Sequence, residues 1–476
     1  MRYQPHLFLL AAVLLLPTLA GATTPVVEST VLVNGTTDLL LPAAQIANLD
    51  AGDLVAGFTR WDNDGDGVFF NETRVGFLWS PSGGAQVFEI PQNLYENPTF
   101  YFPAGISDTG TVSGTALFRL LRRGLPFLWS ATAGTQFLPL PCGGAPPTVS
   151  GGPSTVCSGS STGLAANGAF VAGQVTDREG NAHAARWKQA GGRPGDPGRA
   201  GPGGAGGIGV VTLSPRERPR LARASAAREG APRLRFVLEQ LDTAAPWSDG
   251  LAISADGRVV VGEIAPDGFD VVAARWIDGA AQPLEPVGDA SSAVQSSADG
   301  SVALGWAFLD GRMVLVRWGV DGAAQTLPPP DGWSLESIRA ANATATAAVG
   351  ALSLNGNWAP YLWTLAGGFQ ILPEAGREGD YDASEAIGLS EDGRSVVGAL
   401  QATVISNGDP RSLAFLWTAE GGLFTLNDLL AAAGFVDPDF FSALAISRDG
   451  LKILATGNPD RTDNDTNSLI LTLQGP

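Results

Sequence analysis

The sequence predicts an all-β protein built from repeated small sheets, and three observations carry that prediction. The first is composition: 62 Gly and 33 Pro among 476 residues, with only 16% charged but 44% hydrophobic residues. So many turn formers with so few charges exclude a coiled coil or charged helical bundle, and the apolar content excludes a disordered chain. The second is a recurring tryptophan, in Phe77-Leu78-Trp79, Phe127-Leu128-Trp129, Ala185-Arg186-Trp187, Ala274-Arg275-Trp276, Val316-Arg317-Trp318, Tyr361-Leu362-Trp363 and Phe415-Leu416-Trp417. The third is a turn of the form Ser-x-Asp-Gly ahead of an apolar run ending in Gly, as in Ser254-Ala255-Asp256-Gly257 before Val259–Gly262. Related turns begin at Ser297, Ser390 and Ser447.

Each repeat reads as a four-stranded meander. Its first strand, such as Leu251–Ser254, enters an Asp-Gly turn, which is strong hairpin chemistry. The second is continuously apolar, as a strand buried on both faces requires. The third carries the Trp, large enough to wedge between neighbouring sheets. The fourth, such as Gln282 to Pro286, ends in Pro and belongs at an edge. A unit of this size cannot bury a core alone, so the units must stack.

Counting the strands closes the array. First strands fall near Ile46, Ile106, Leu164, Ile253, Val294, Ile338, Ile387 and Ile446. Third strands are the seven with Trp plus a degenerate one at Ser468–Leu473, after which the chain ends without a last fourth strand. Thr37–Pro42 is the expected substitute: an N-terminal strand that completes the final sheet and shuts a ring, removing the exposed edges. The expectation is a single β-propeller over residues 23–476 with eight four-stranded blades, seven being the alternative. At about 51 residues a blade the length agrees.

Three segments lie outside this rhythm. Residues 1–22 read as a secretory signal: Arg2, an apolar run Leu7–Leu16, then Ala20-Gly21-Ala22. The product is expected to be exported to the periplasm or beyond, with no membrane span. Cys142 and Cys157 are the only cysteines, and in an exported chain they are expected to form a disulfide. Gly191–Pro232 is a Gly/Pro/Ala-rich insertion with seven Arg, expected to be disordered, between the third and fourth strands of the third unit.

At the repeat residues the chain resembles the extracellular HAF-repeat family, whose repeats pair an IS-x-DG-x-VVG element with an AFLW-type strand and a following Gly-Gly turn. Ala386–Gly398, Ala414-Phe415-Leu416-Trp417 and Gly421-Gly422 form the best copy. The resemblance implies an exported repeat protein, and it implies a location more than an activity.

Charge and scarce residues narrow the chemistry. A net charge of −18 opposes general binding to nucleic acid. His183 is the only histidine beyond the leader, so a His-cluster zinc site is impossible and a Ser-His-Asp triad has one candidate base. Gly159-Ser160-Ser161-Thr162-Gly163 matches a nucleophile-elbow pattern but lacks a strand-turn-helix context. Asp62-Asn63-Asp64-Gly65-Asp66-Gly67 places three carboxylates around one point, suited to Ca²⁺ with the Val68 carbonyl and Glu72. This loop resembles the DxDxDG calcium loops of integrin-like propellers. Aromatic residues in the expected connectors from a fourth strand to the next first strand, Tyr101, Trp247, Trp333, Tyr381 and Phe440, stand near acids and are candidates to grip a sugar or a cation. The expected function is a non-catalytic, calcium-stabilised, monomeric binding module for carbohydrate or another extracellular protein. The alternative is a secreted glycoside hydrolase or lyase using carboxylates on the same face.

Overall fold

The computed structural model describes residues 24–33, 43–61, 73–88, 100–118, 123–142, 157–190, 235–241, 245–372, 384–402, 411–458 and 467–475. It is an eight-bladed propeller with 32 described strands. The chain opens with β1 (Val27–Val33). Blade 1 is β2 (Ala43–Asn48), β3 (Leu54–Trp61), β4 (Thr73–Ser80) and β5 (Gly84–Val87). Blade 2 is β6 (Phe100–Ile106), β7 (Val112–Phe118), β8 (Arg123–Ser130) and β9 (Gly134–Phe137). Blade 3 is β10 (Ser158–Leu164), β11 (Phe170–Thr176), β12 (Ala182–Gln189) and β13 (Phe236–Gln240). Blade 4 is β14 (Trp247–Ile253), β15 (Val259–Ala265), β16 (Val272–Ile277) and β17 (Ala280–Pro283). Blade 5 is β18 (Ala290–Ser296), β19 (Ala303–Leu309), β20 (Arg312–Trp318) and β21 (Ala324–Leu327). Blade 6 is β22 (Ser334–Ala341), β23 (Ala347–Leu354), β24 (Asn357–Thr364) and β25 (Gly368–Ile371). Blade 7 is β26 (Glu385–Leu389), β27 (Ser395–Ala402), β28 (Arg411–Thr418) and β29 (Gly422–Thr425), followed by α1 (Leu426–Ala432). Blade 8 is β30 (Asp439–Ile446), β31 (Lys452–Asn458), β32 (Asn467–Leu473) and β1.

The ring is shut by the N-terminus, as expected, but with a different segment. β1 pairs antiparallel with β32, Val27 opposite Leu473 and Val33 opposite Ser468. The segment expected to do this, Thr37–Pro42, lies outside the described residues. Val27–Val33 suits the role because its β-branched residues fit a pleated edge. The signal segment 1–22 and the whole Arg-rich insertion Gly191–Pro232 also lie outside the described residues; β12 and β13 bracket that insertion where the repeat places it.

Every blade is a meander in which the first strand contacts the first strands of both neighbouring blades, so the first strands line the centre. The second strands are the most buried, as in Val259–Gly262 of β15. Each first strand carries a register shift. In every blade a glycine of the second strand lies opposite the residue where this shift begins. A Cβ on Gly262 would overlap the carbonyl oxygen of Asp249, and one on Gly398 would overlap that of Glu385. The Gly closing each apolar run is therefore required by close backbone approach.

The tryptophans wedge between blades. All seven are at most 5% exposed. Trp318 packs against Val259, Val261 and Leu284 of the preceding blade, and its Nε1 donates to the Glu285 carbonyl at 2.9 Å. Trp187 donates likewise to Pro139 at 2.7 Å. Trp79 packs on Val33, Leu454 and Ile470, so the same contact joins blade 1 to blade 8 across the closure. In blade 8 the register puts Leu471 opposite Ile453, the place that Trp417 takes opposite Val396 in blade 7. There Leu426, Leu429 and Leu430 of α1 join Leu471 in one cluster and supply the missing bulk. Thr425 caps α1, its Oγ1 accepting the Asp428 N–H at 3.1 Å.

The Ser-x-Asp-Gly turns are structural. Ser254 donates to Asp256 at 2.7 Å and accepts the Val259 N–H at 3.0 Å, while Gly257 has a φ of 76°. Turns at Ser297, Ser390 and Ser447 repeat the pattern. Successive turns also bond to one another: Ala255 N–H to the Ala298 carbonyl, Ala298 N–H to Ala343, and Glu391 N–H to Arg448. Arg448 N–H then donates to the Asp50 carboxylate at 3.0 Å, carrying this belt across the closure.

Candidate binding site on the connector face

Antiparallel meanders sort the loops into two faces. The Ser-x-Asp-Gly turns and the third-to-fourth turns open on one face. The second-to-third turns and the connectors between blades open on the other, and the first strands begin there. The strand ends bracketing residues 62–72 belong to this connector face.

The aromatic candidates divide. First strands begin earlier than the sequence suggested, so Tyr101 lies within β6, Trp247 within β14 and Phe440 within β30; of the described candidates only Trp333 precedes its strand. Tyr101 and Phe440 are fully buried, Tyr101 against Phe88 and Phe127, and their rings fill space between blades instead of facing a ligand. Burial drives the Tyr101 hydroxyl well above its ordinary pKa. Trp247 and Trp333 are half-buried, and Trp333 also packs on the cluster between blades 5 and 6. Tyr381 and the calcium candidates Asp62, Asp64, Asp66, Val68 and Glu72 lie outside the described residues. Among the described residues no three His, Cys, Asp or Glu side chains converge to hold a metal.

Beside Trp247 stands a feature the sequence reading missed. Asp249, two residues along β14 and so on the same side of the strand, is directly opposite Glu263 of β15. Directly opposed residues of an antiparallel pair have Cβ atoms about 5 Å apart. Burial, then the charge of Glu263, push the Asp249 carboxyl up to about 7, with the Gly250 N–H pulling the other way. Burial likewise raises Glu263, and the nearby Ser292 hydroxyl draws it partly back. Asp249 Oδ1 is buried with no hydrogen-bond partner among the described residues.

Glu385, register-equivalent to Asp249 in blade 7, shows the contrasting arrangement. It accepts from Arg339 Nε at 2.7 Å and from the Ser337 hydroxyl. The signal that reveals Glu263 is its position: a carboxylate immediately after the Gly of a doubly buried strand, where Trp306, Ala351 and Ala399 stand in the following blades.

The catalytic patterns resolve as structure. Gly159–Gly163 lies inside β10, where the Ser161 N–H donates to Thr115 at 3.0 Å, with no elbow. His183 Nε2 is 3.1 Å from Asp177, which also accepts from Asn181, so the pair locks a hairpin turn. The cysteines are joined as expected: Cys142, after β9, bonds Cys157, before β10, with Cα atoms 6.0 Å apart. No described helix is long and apolar enough to cross a membrane.

No protein-family model matches the sequence, and no curated protein is significantly similar to it. Among solved structures, a prolyl endopeptidase is 10% identical, with 83% of this chain and 50% of that one covered and a TM-score of 0.47. The β-propeller domain of the trilobed protease from Pyrococcus furiosus is 11% identical, with 83% and 99% covered and a TM-score of 0.41. TolB from Acinetobacter baumannii is 11% identical, with 62% and 58% covered and a TM-score of 0.32. The chain thus spans half the length of the prolyl endopeptidase, and at these values the matches say nothing of its activity.

Proposed function

We propose that this protein is an exported binding module that holds an extracellular glycan or protein on the connector face of its ring. The observation that supports this reading is the half-buried Trp247 with Asp249 and Glu263 on the inner strands of blade 4, a polar and aromatic group outside the cores between blades. Binding sites combine an aromatic or apolar surface with a few placed polar groups. Calcium at Asp62, Asp64, Asp66, Glu72 and the Val68 carbonyl remains part of this proposal on sequence grounds, as does kinship with the HAF-repeat family.

The paired acids also bear on a hydrolase or lyase. Glycosidases place two carboxyl groups on opposite sides of the scissile bond. Asp249 and Glu263 are neighbours on one sheet face, which suits gripping a ligand better than flanking a bond. A glycan array and a hydrolysis screen on the mature protein test both readings. Ligand capture without turnover, reduced at least tenfold in Trp247→Ala, is expected; turnover lost in Asp249→Asn would establish the enzyme instead.

A further inference from the structure

We propose that Asp249, Glu263 and Trp247 together receive an organic cation, the ammonium or guanidinium group of a ligand. This deepens the binding reading and rests on it. Two carboxylates directly opposed on adjacent strands are destabilising unless a positive group offsets them. Asp249 Oδ1 is buried and unpartnered, and Ser292, 1% exposed, lies near Glu263 without a well-formed hydrogen bond for its hydroxyl. Two oxygens beside the Glu263 carboxylate, Asp249 Oδ1 and Ser292 Oγ, are therefore left with acceptor capacity that the described protein does not use.

Among the described residues, the strands around β14 turn no cation toward this pair. β10, β11 and β18, all packed against β14, contain no titratable residue. In β12, Arg186 is held by Glu239 at 2.7 Å and by the Gly257 and Arg258 carbonyls on the turn face. His183 is engaged by Asp177, and Lys188 lies at the turn-face end of β12 opposite Val237. Arg275 of β16 reaches the Gly319 and Val320 carbonyls. By contrast, the fold supplies Arg339 to Glu385 at the equivalent position of blade 7.

Two considerations favour an organic cation over a metal ion. Two carboxylates and a hydroxyl fall short of the six to eight oxygens that Ca²⁺ takes. Trp247 adds an aromatic face on the same side of β14, which attracts ammonium and guanidinium groups. The proton that the pair retains near neutrality is displaced when such a group arrives, so binding is coupled to proton release.

Calorimetry with agmatine, which carries both cationic groups, tests the proposal on the full mature protein, with 1-butanol as the neutral probe. Wild type is expected to bind agmatine and not butanol, with a heat at pH 6.5 that changes with the buffer's ionisation enthalpy. Asp249→Asn and Glu263→Gln are each expected to weaken binding at least tenfold. Both variants remove repulsion, so melting temperatures at pH 8 equal to or above wild type show that they are folded. Absence of agmatine binding by wild type, or unchanged affinity in both folded variants, would overturn the proposal. If a ligand without an amine binds in a Trp247-dependent manner while agmatine does not, this inference fails and the binding reading stands. If neither binds, both fail.

Discussion

One added methyl group measures how closely the two inner strands of a blade approach. The Cβ created by Gly398→Ala would overlap the Glu385 carbonyl oxygen and the ring of Phe415. Backbone on one side and a fully buried ring on the other leave little room to relax, so a loss of about 2–4 kcal/mol is expected by urea unfolding. The Asp249 carboxyl makes a second prediction. Its folded pKa, about 7, lies above the ordinary carboxylate value, so between about pH 4 and pH 7 the folded protein holds a proton that the unfolded chain has lost. Stability from this group is therefore full below that window and falls as pH rises through it, by about 1–3 kcal/mol. Asp299 and Asp449, held low by Ser297 and Ser447 hydroxyls first, slope the opposite way at lower pH. The melting temperature of wild type minus that of Asp249→Asn isolates the Asp249 slope; a difference independent of pH would contradict the assignment.

The blades were legible in the sequence where the chemistry repeats. Trp in the third strand and Ser-x-Asp-Gly ahead of the second mark their elements because one side chain or one turn satisfies the same packing need each time. The reading slipped where tertiary packing overrides local signals. Trp247-Ser248-Asp249-Gly250 looks like a turn, yet it is strand, because Ser248 accepts the Ala184 N–H across the blade gap at 2.8 Å and the bulge absorbs the Gly. α1 was missed because the repeat pattern left no place for a helix; only Thr425 ahead of Asp428 and a Leu-rich turn announce it. The acid pair was invisible because opposition across a ladder depends on register, which the bulges shift. The disulfide was legible from the cysteine count together with the expected export. It closes a fifteen-residue separation between blades 2 and 3, so Cys142→Ser with Cys157→Ser is expected to lose about 3 kcal/mol under oxidising conditions and nothing further under reductant.

For the whole molecule, the ring is the claim on which everything else stands. Counting eight first strands and finding one fourth strand short implied an N-terminal closure, and that logic survives although the segment moved about ten residues upstream. Thr37–Pro42 carries the terminal Pro of the other fourth strands, a signal that Val27–Val33 lacks. Closure aligns the inner strands around one centre and gathers the connectors on a single face, the face on which Trp247 and the acid pair of blade 4 lie. The most direct test is an engineered cross-link in a Cys142→Ser/Cys157→Ser background, pairing Val31→Cys with Ile470→Cys, which are opposed in the β1–β32 register. The expected result is near-complete intramolecular disulfide formation on mild oxidation, with little for Leu40→Cys and Ile470→Cys. Efficient coupling of position 40 in place of position 31, or of neither, would contradict the closure described here.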